Sequence, residues 1–465
     1  MLIPSTPVAA FQARRAALIA AFNSPALIAA GQPRARNYCA NQYPFRAKSH
    51  FLYFVREPIP GASLLFAHGT TTLFVEPEQP GDALWTGPHS AQEELRERYG
   101  LDAVRPTTEL EEALATAGGP VATLPTEDAA SARWLSEHLG RTVIESTGAK
   151  LEDGSTDAAL ADVMISLRLR HDEAALAQLR AAASVTAAGH VAGMLATREA
   201  TTEAGVFGAV VGRFRSSGCE DSFAPIVSTR GEVLHNESHG GEVRAGHLLL
   251  VDAGAETPEG WAGDVTRVWP VSGRFSGTQR AVYEAVLDVQ VTAIAACKAG
   301  VRYRQVHEVA KRRMVERLVD LGIFTGDVDG LLERGAAAIF FPHGVGHLLG
   351  LDVHDLEDLG DRAGYAPGRT RSAAFGDCYL RLDRDLVAGM AVTIEPGFYQ
   401  VPGILADAAY TGAVGSDLHR DVLAKFADVR GIRIEDDVLI TDGAPEVMTS
   451  EAPKSVEAVE ALVRG

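Results

Sequence analysis

Cysteine is scarce. The four present, Cys39, Cys219, Cys297 and Cys378, are scattered over 465 residues and form no Cys-x-x-Cys pair. That spacing excludes a disulfide framework and a zinc ribbon, and it fits a reducing cytoplasm. Long apolar runs are also missing: nothing approaches the ~20 residues that span a bilayer, so no membrane partner is expected. The opening MLIPSTPVAAFQARRAALIA lacks a basic region followed by an apolar stretch, so no export signal is expected and a cytoplasmic location is. Basic residues are outnumbered, 43 Lys and Arg against 61 Asp and Glu, and the net charge of −18 argues against nucleic acid as a partner. No short tandem repeat is visible.

What is present is a long α/β (α+β) chain with a change of character near residue 160. Before it, helix-like ALIAAF, strand-like ALIAA, FLYFV, ASLLFA and TTLFV, and helix-like AQEELRERYG, TELEEALATAG and ASARWLSEHLG alternate between Pro-Gly and His-Gly turns. This first domain, residues 1–160, carries no cluster of acids or histidines, so scaffolding, oligomer contact or substrate gating is its expected role. Residues 161–465 open on the Ala-rich helical stretch HDEAALAQLRAAASVTAAGHVAGMLA and continue with strand-like runs and amphipathic helices such as TQRAVYEAVLDVQVTAIAACK and YRQVHEVAKRRMVERLVDLG.

The chemistry is concentrated in this second part. Apolar runs HLLLV, AVTI and GIRI each deliver an acid at their C-terminal end (Asp252, Glu395, Glu435), and AGDVTRVWPV begins with one, Asp264. Taken singly, Asp252 before Ala-Gly and Glu395 before Pro-Gly are ordinary turn residues, and Glu435-Asp436-Asp437 is an ordinary solvated run. The repetition is what those readings leave unexplained. Four carboxylates beside small residues and apolar runs are costly to bury unless cations neutralise them, which is the composition of a site for two hard divalent metals. The acids fall in two sets, Asp252 with Asp264 and Glu395 with Glu435, which would suit two related halves closing on a shared metal pair.

Histidines add to the case. His343 and His347 have the spacing of a helical zinc pair, but two intervening glycines disfavour a helix and no Glu follows the first His. They are expected on a strand or loop. His354 follows seven residues on, and His235 lies on a separate strand-like piece, EVLHNES. A lone histidine is more often structural. Three in twelve residues, interleaved with glycine and followed by Asp352 and Asp355, point to a site.

The segments VDAGAE, GDVTRVWPVSG, FFPHGVGHLLGLDVHD, TIEPGFY and GIRIEDDVLIT resemble, in order, the signature blocks of the pita-bread metallopeptidases, in the branch holding Xaa-Pro aminopeptidase (aminopeptidase P) and Xaa-Pro dipeptidase (prolidase). NQYPFRAKSHFLYF resembles, more weakly, the opening of the aminopeptidase P N-terminal domain. The resemblance implies a creatinase-like N-terminal α/β domain followed by a pita-bread catalytic domain. It implies that Asp252, Asp264, His347, Glu395 and Glu435 ligate two divalent ions, with Asp264 and Glu435 bridging them. It further implies that His354 and His343 assist proton movement and substrate binding, that His235 lines the pocket for proline, and that Arg433 supports the ligands. The expected partners are proline-containing peptides and further copies of the chain, as a homodimer or homotetramer. Ligand softness favours manganese, magnesium or cobalt, with Mn2+ the expected ion and Co2+ or, on affinity, Zn2+ as alternatives.

Such a metal pair supplies Lewis acidity and a water of lowered pKa. His354 is then the expected partner of the developing oxyanion, and Glu395 the expected carrier of the water's proton. Two stretches depart from the compact aminopeptidase pattern by being longer. One of them, RSAAFGDCYLRLDRDLVAGM, resembles the prolidase counterpart and places Arg381 where an arginine would grip a dipeptide carboxylate; the plain alternative is that Arg381 simply decorates a polar loop among Arg371, Asp383 and Arg384. Relatives that lost their ligands and act as binding modules, and creatinase, which cleaves a non-peptide substrate, are the competing classes. All five ligand positions here carry competent residues.

Overall fold

A computed structural model describes residues 3–145 and 151–465. The chain divides into two units, Ser5–Ala175 with Leu356–Ala363, and Leu176–Asp355 with Gly364–Gly465. Residue 160, where composition changes, lies inside the helix Thr156–Arg168, which packs on the helix Val8–Ala21 of the first unit.

In the first unit, strands Ala26–Ala29, Ser63–Ala67 and Thr70–Val75 run antiparallel, and Ala103–Pro106 joins the last in parallel. His68 and Gly69 connect the hairpin with φ of 54° and 75°, the two-residue turn whose twist matches that of paired strands. Leu27, Leu65, Phe74, Leu110 and Leu135 form its core. FLYFV is not the strand expected of it: Ser49–Leu52 is a short helix and the rest is turn. All five residues are buried. A continuously buried short run carries no alternation, and so has nothing to separate strand from helix.

The second unit holds two three-stranded antiparallel sheets, Ile226–Ser228/Leu248–Ala253/Val265–Pro270 and Ala391–Ile394/Asp436–Leu439/Glu446–Val447, and a pair Gly397–Tyr399/Gly431–Arg433. The helix Gly277–Ala296, opened by a capping box between Ser276 and Gln279, packs along the helix Tyr303–Asp320. Val251 and Trp269 bury one face of the first sheet against Val206 and Phe214. Arg267, fully buried, pairs with Asp436 and donates to the carbonyls of Thr266, Glu435, Ala452 and Pro453. One guanidinium thereby ties the two sheets together at the edge where the acids emerge.

Candidate active site

Each sheet contributes one antiparallel pair that carries two acids to the same end. Ala253 pairs with Val265, so Asp252 sits in one strand and Asp264 directly precedes the other. Ile394 pairs with Asp436, so Glu395 directly follows one strand and Glu435 directly precedes the other. The pairs are stitched together: Glu435 N donates to Thr266 O at 3.1 Å, and Asp264 N to Asp437 Oδ2 at 3.1 Å. The loop bearing His347 is laced to the second sheet by Thr393 N to His347 O (3.0 Å), Glu395 N to Val345 O (2.8 Å) and His347 N to Thr393 Oγ1 (3.1 Å). Glycine makes both approaches possible. A Cβ on Gly346 would lie 2.1 Å from Thr393 O, and one on Gly254 1.8 Å from Gly263 O.

Asp264, His347 and Glu435 present ligand atoms within 4.8 Å of one another. His347 Nε2 is 3.5 Å from Asp264 Oδ2 and 3.7 Å from Glu395 Oε1, too long for hydrogen bonds and suited to ligands sharing a centre. Its Nδ1 lies 2.9 Å from Leu348 O, which assigns the proton to Nδ1 and leaves the Nε2 lone pair facing the acids. Arg433 is a buried cation beside the acids: it pairs with Asp252 and donates to Thr266 Oγ1 and Tyr399 Oη, each at 2.9 Å. The Thr266 hydroxyl in turn donates a hydrogen bond to Glu435 Oε2 at 2.6 Å.

One guanidinium does not balance four carboxylates. Burial pushes Asp264 well above the usual carboxylate range, helped by the charge of Asp252; burial and the charge of Asp264 do the same to Glu435, and burial raises Glu395. Asp252 Oδ1 and Asp264 Oδ1 are buried without a hydrogen-bond partner. Orphaned carboxylate oxygens, converging acids and an imidazole with a free lone pair fit hard divalent cations.

His354 stacks on His347, ring centroids 4.0 Å apart at 25°. His343 commits both nitrogens within the protein, Nδ1 donating to Gly344 O at 2.7 Å and Nε2 accepting from Tyr399 Oη at 3.0 Å. Burial and the nearby Arg433 depress its pKa to about 3, so it is neutral at pH 7. Burial also raises the Tyr399 phenol to about 12, which keeps it a donor. His235 and Arg381 are exposed on the walls of a cleft of about 680 Å³, and all ten residues singled out from the sequence line it, together with Phe223, Ile226 and Tyr379. His235 is not on a strand; it sits in a turn after Ile226–Ser228. Asp383, in the Arg381 segment, is buried and paired with Arg302 and Arg304.

A stability prediction follows from the neutral histidines. His190, buried beside Ala253 O (3.1 Å), is depressed by desolvation to about 4, and His343 to about 3. Below the ordinary value near 6.5 the unfolded chain takes up protons that the folded chain refuses. Stability is therefore complete above about pH 6.5 and falls on acidification towards 4, by up to about 1.4 kcal/mol per pH unit for each histidine. Denaturant unfolding at pH 7.5 and 5.5 should show the drop, and His190→Gln should shrink it; an unchanged slope in that variant would refute the assignment.

Thr266, Tyr399 and Thr393 were not singled out by the sequence reading. Thr266 had a signal: it lies two residues after Asp264 in an extended run and so shares its face. Tyr399 lay within TIEPGFY with nothing to distinguish it from a core aromatic.

Residues 177–442 match the sequence pattern of Metallopeptidase family M24. The chain belongs to that family. Residues 11–122 match the aminopeptidase P N-terminal domain. Among M24 relatives, probable Xaa-Pro aminopeptidases of Penicillium rubens and Aspergillus niger are 32% and 33% identical over 90% of this chain and 88% of their own. Among solved structures, aminopeptidase PepP of Pseudomonas aeruginosa has a TM-score of 0.81 at 27% identity, covering 100% of this chain and 99% of its own. Aminopeptidase P from E. coli with the inhibitor Pro-Leu has a TM-score of 0.79 at 29% identity, with 99% of each chain covered. The architecture is thus an aminopeptidase P N-terminal domain followed by a pita-bread domain of the M24 family.

Proposed function

We propose that this M24 enzyme is a Xaa-Pro aminopeptidase, releasing the N-terminal residue of peptides whose second residue is proline. The observation that carries this reading is the complete set of donors on one cleft, Asp252, Asp264, His347, Glu395 and Glu435, in a chain matched along nearly its whole length by Xaa-Pro aminopeptidases. These five residues would hold two divalent cations, with Asp264 and Glu435 shared between them. Manganese is the preferred ion, by the hardness of the donors. When bound, the pair neutralises the carboxylates and supplies Lewis acidity together with a water of lowered pKa.

The chain's own residues do the rest. Arg433 fixes Asp252 directly and Glu435 through the Thr266 hydroxyl. Glu395 takes the proton of the attacking water and hands it to the leaving nitrogen. His354 donates to the carbonyl oxygen as negative charge develops there. His343, locked neutral against Tyr399, and His235 wall the proline ring. Because proline makes a tertiary amide without N–H, ring shape rather than a backbone donor sets the preference. The N-terminal domain serves as scaffold, oligomer contact or substrate gate, and the enzyme works in the cytoplasm as a homodimer or homotetramer.

Arg381 on the cleft wall favours a second reading, a dipeptidase that grips the carboxylate of Xaa-Pro. The two readings part on substrate length. Xaa-Pro-Xaa and longer peptides should be cleaved with kcat/KM at least equal to that of Xaa-Pro, and Arg381→Ala should lower only the dipeptide value, by about tenfold. Activity confined to dipeptides and lost in Arg381→Ala would establish the dipeptidase.

A further inference from the structure

The turn region 229–241 carries His235 without a strand to hold it, yet its two ends close on one buried carboxylate. Glu203, the first residue of the helix Glu203–Ser216, is 2% exposed. Its Oε1 accepts from Thr229 N at 2.7 Å and Thr229 Oγ1 at 2.9 Å, and its Oε2 from Gly241 N at 2.9 Å. The backbone repeats the attachment: Glu203 N donates to Gly241 O at 2.9 Å and Ala204 N to His239 O at 3.0 Å. A Cβ on Gly241 would lie 2.4 Å from the Glu203 carboxylate, so the loop end approaches as closely as glycine allows. Inside the loop, Asn236 donates to Ser228 Oγ at 2.8 Å and the His239 ring stacks on Phe207 at 4.1 Å.

An acid in the first turn of a helix ordinarily faces solvent and the helix dipole. Here the three donors on the Glu203 carboxylate are neutral and all belong to the segment that presents His235. We propose that Glu203 is the positioning residue for His235: it clamps the 229–241 loop at Thr229 and Gly241 so that the imidazole keeps its place on the cleft wall against the substrate proline. The assignment rests on the reading of His235 as a substrate-contacting residue.

A double-mutant cycle on the full chain loaded with manganese tests both levels. Glu203→Gln replaces one acceptor oxygen by an amide donor that opposes the N–H of Thr229 or Gly241. It should lower kcat/KM on an Xaa-Pro-Xaa peptide about tenfold, mainly through KM, with metal content unchanged. In a His235→Ala background the same substitution should have no further effect, because nothing is left to position. Equal losses in both backgrounds would mean a merely structural acid and overturn the proposal, as would no loss in either. If His235→Ala by itself leaves kcat/KM unaltered, the reading of His235 fails first and the proposal with it. Should Glu203→Gln not fold, Thr229→Val, which removes one of the three hydrogen bonds, takes its place in the cycle, with a twofold to fivefold loss expected only when His235 is present.

Discussion

Asp264→Ala and Glu435→Ala should each abolish peptide hydrolysis, with turnover down by a thousandfold or more at saturating manganese, while the chain stays folded. The size of the loss follows from the part these acids are proposed to play: a shared ligand underlies several kcal/mol of charge stabilisation in the transition state, and each 1.4 kcal/mol is a factor of ten, so about three decades is a modest figure. Survival of the fold follows from electrostatics. Without a cation, burial and neighbouring acids hold both carboxyls above the usual range, Asp252 acting on Asp264 and Asp264 on Glu435, so deleting either relieves repulsion rather than removing support. Metal-free variants should therefore unfold at temperatures equal to or above that of the metal-free parent, and should lose most of the stabilisation that added manganese gives it. Near-normal turnover in either variant would sink the metal assignment. Collapse of the metal-free variant would show that the acid supports the fold.

His354→Ala should keep its metal and lose about a hundredfold in kcat, the usual cost of removing a positioned hydrogen-bond donor from a developing oxyanion. His354 stacks on the His347 ring and is not one of the five proposed ligands, so its removal leaves those donors in place. The loss should fall on kcat more than on KM, since the hydrogen bond strengthens as charge builds. Metal analysis beside the kinetics decides the matter: parallel loss of metal and activity would make His354 a ligand.

The sequence revealed the acids more readily than the frame that assembles them. Alternation of apolar strands with terminal carboxylates marked Asp252, Asp264, Glu395 and Glu435 because a lone buried charge is improbable and four together ask for a cation. The histidine loop was legible for the opposite reason: Gly344 and Gly346 disfavour a helix. Three features were out of reach. Thr266 as the link from Arg433 to Glu435 depends on two strands brought together from opposite ends of the unit, which no local pattern encodes. FLYFV lacked the alternation that would separate strand from helix. His235 looked strand-borne because EVLHNES reads extended, whereas it sits in a turn whose ends, Thr229 and Gly241, are tied to Glu203, far earlier in the chain.

The two-sheet origin of the acid cluster bears on when in its life the protein becomes a peptidase. Glu435 takes its backbone position from Thr266, and Arg433, which neutralises Asp252, arrives only with the same late strand. A nascent chain that has emerged as far as Glu395 has four of the five proposed donors, but neither Glu435 nor the guanidinium that pairs with Asp252. If these residues hold the cations as proposed, proteolytic competence is deferred until the strand pair that carries Glu435 is made. On that assignment, a half-made copy would not attack the N-termini around it.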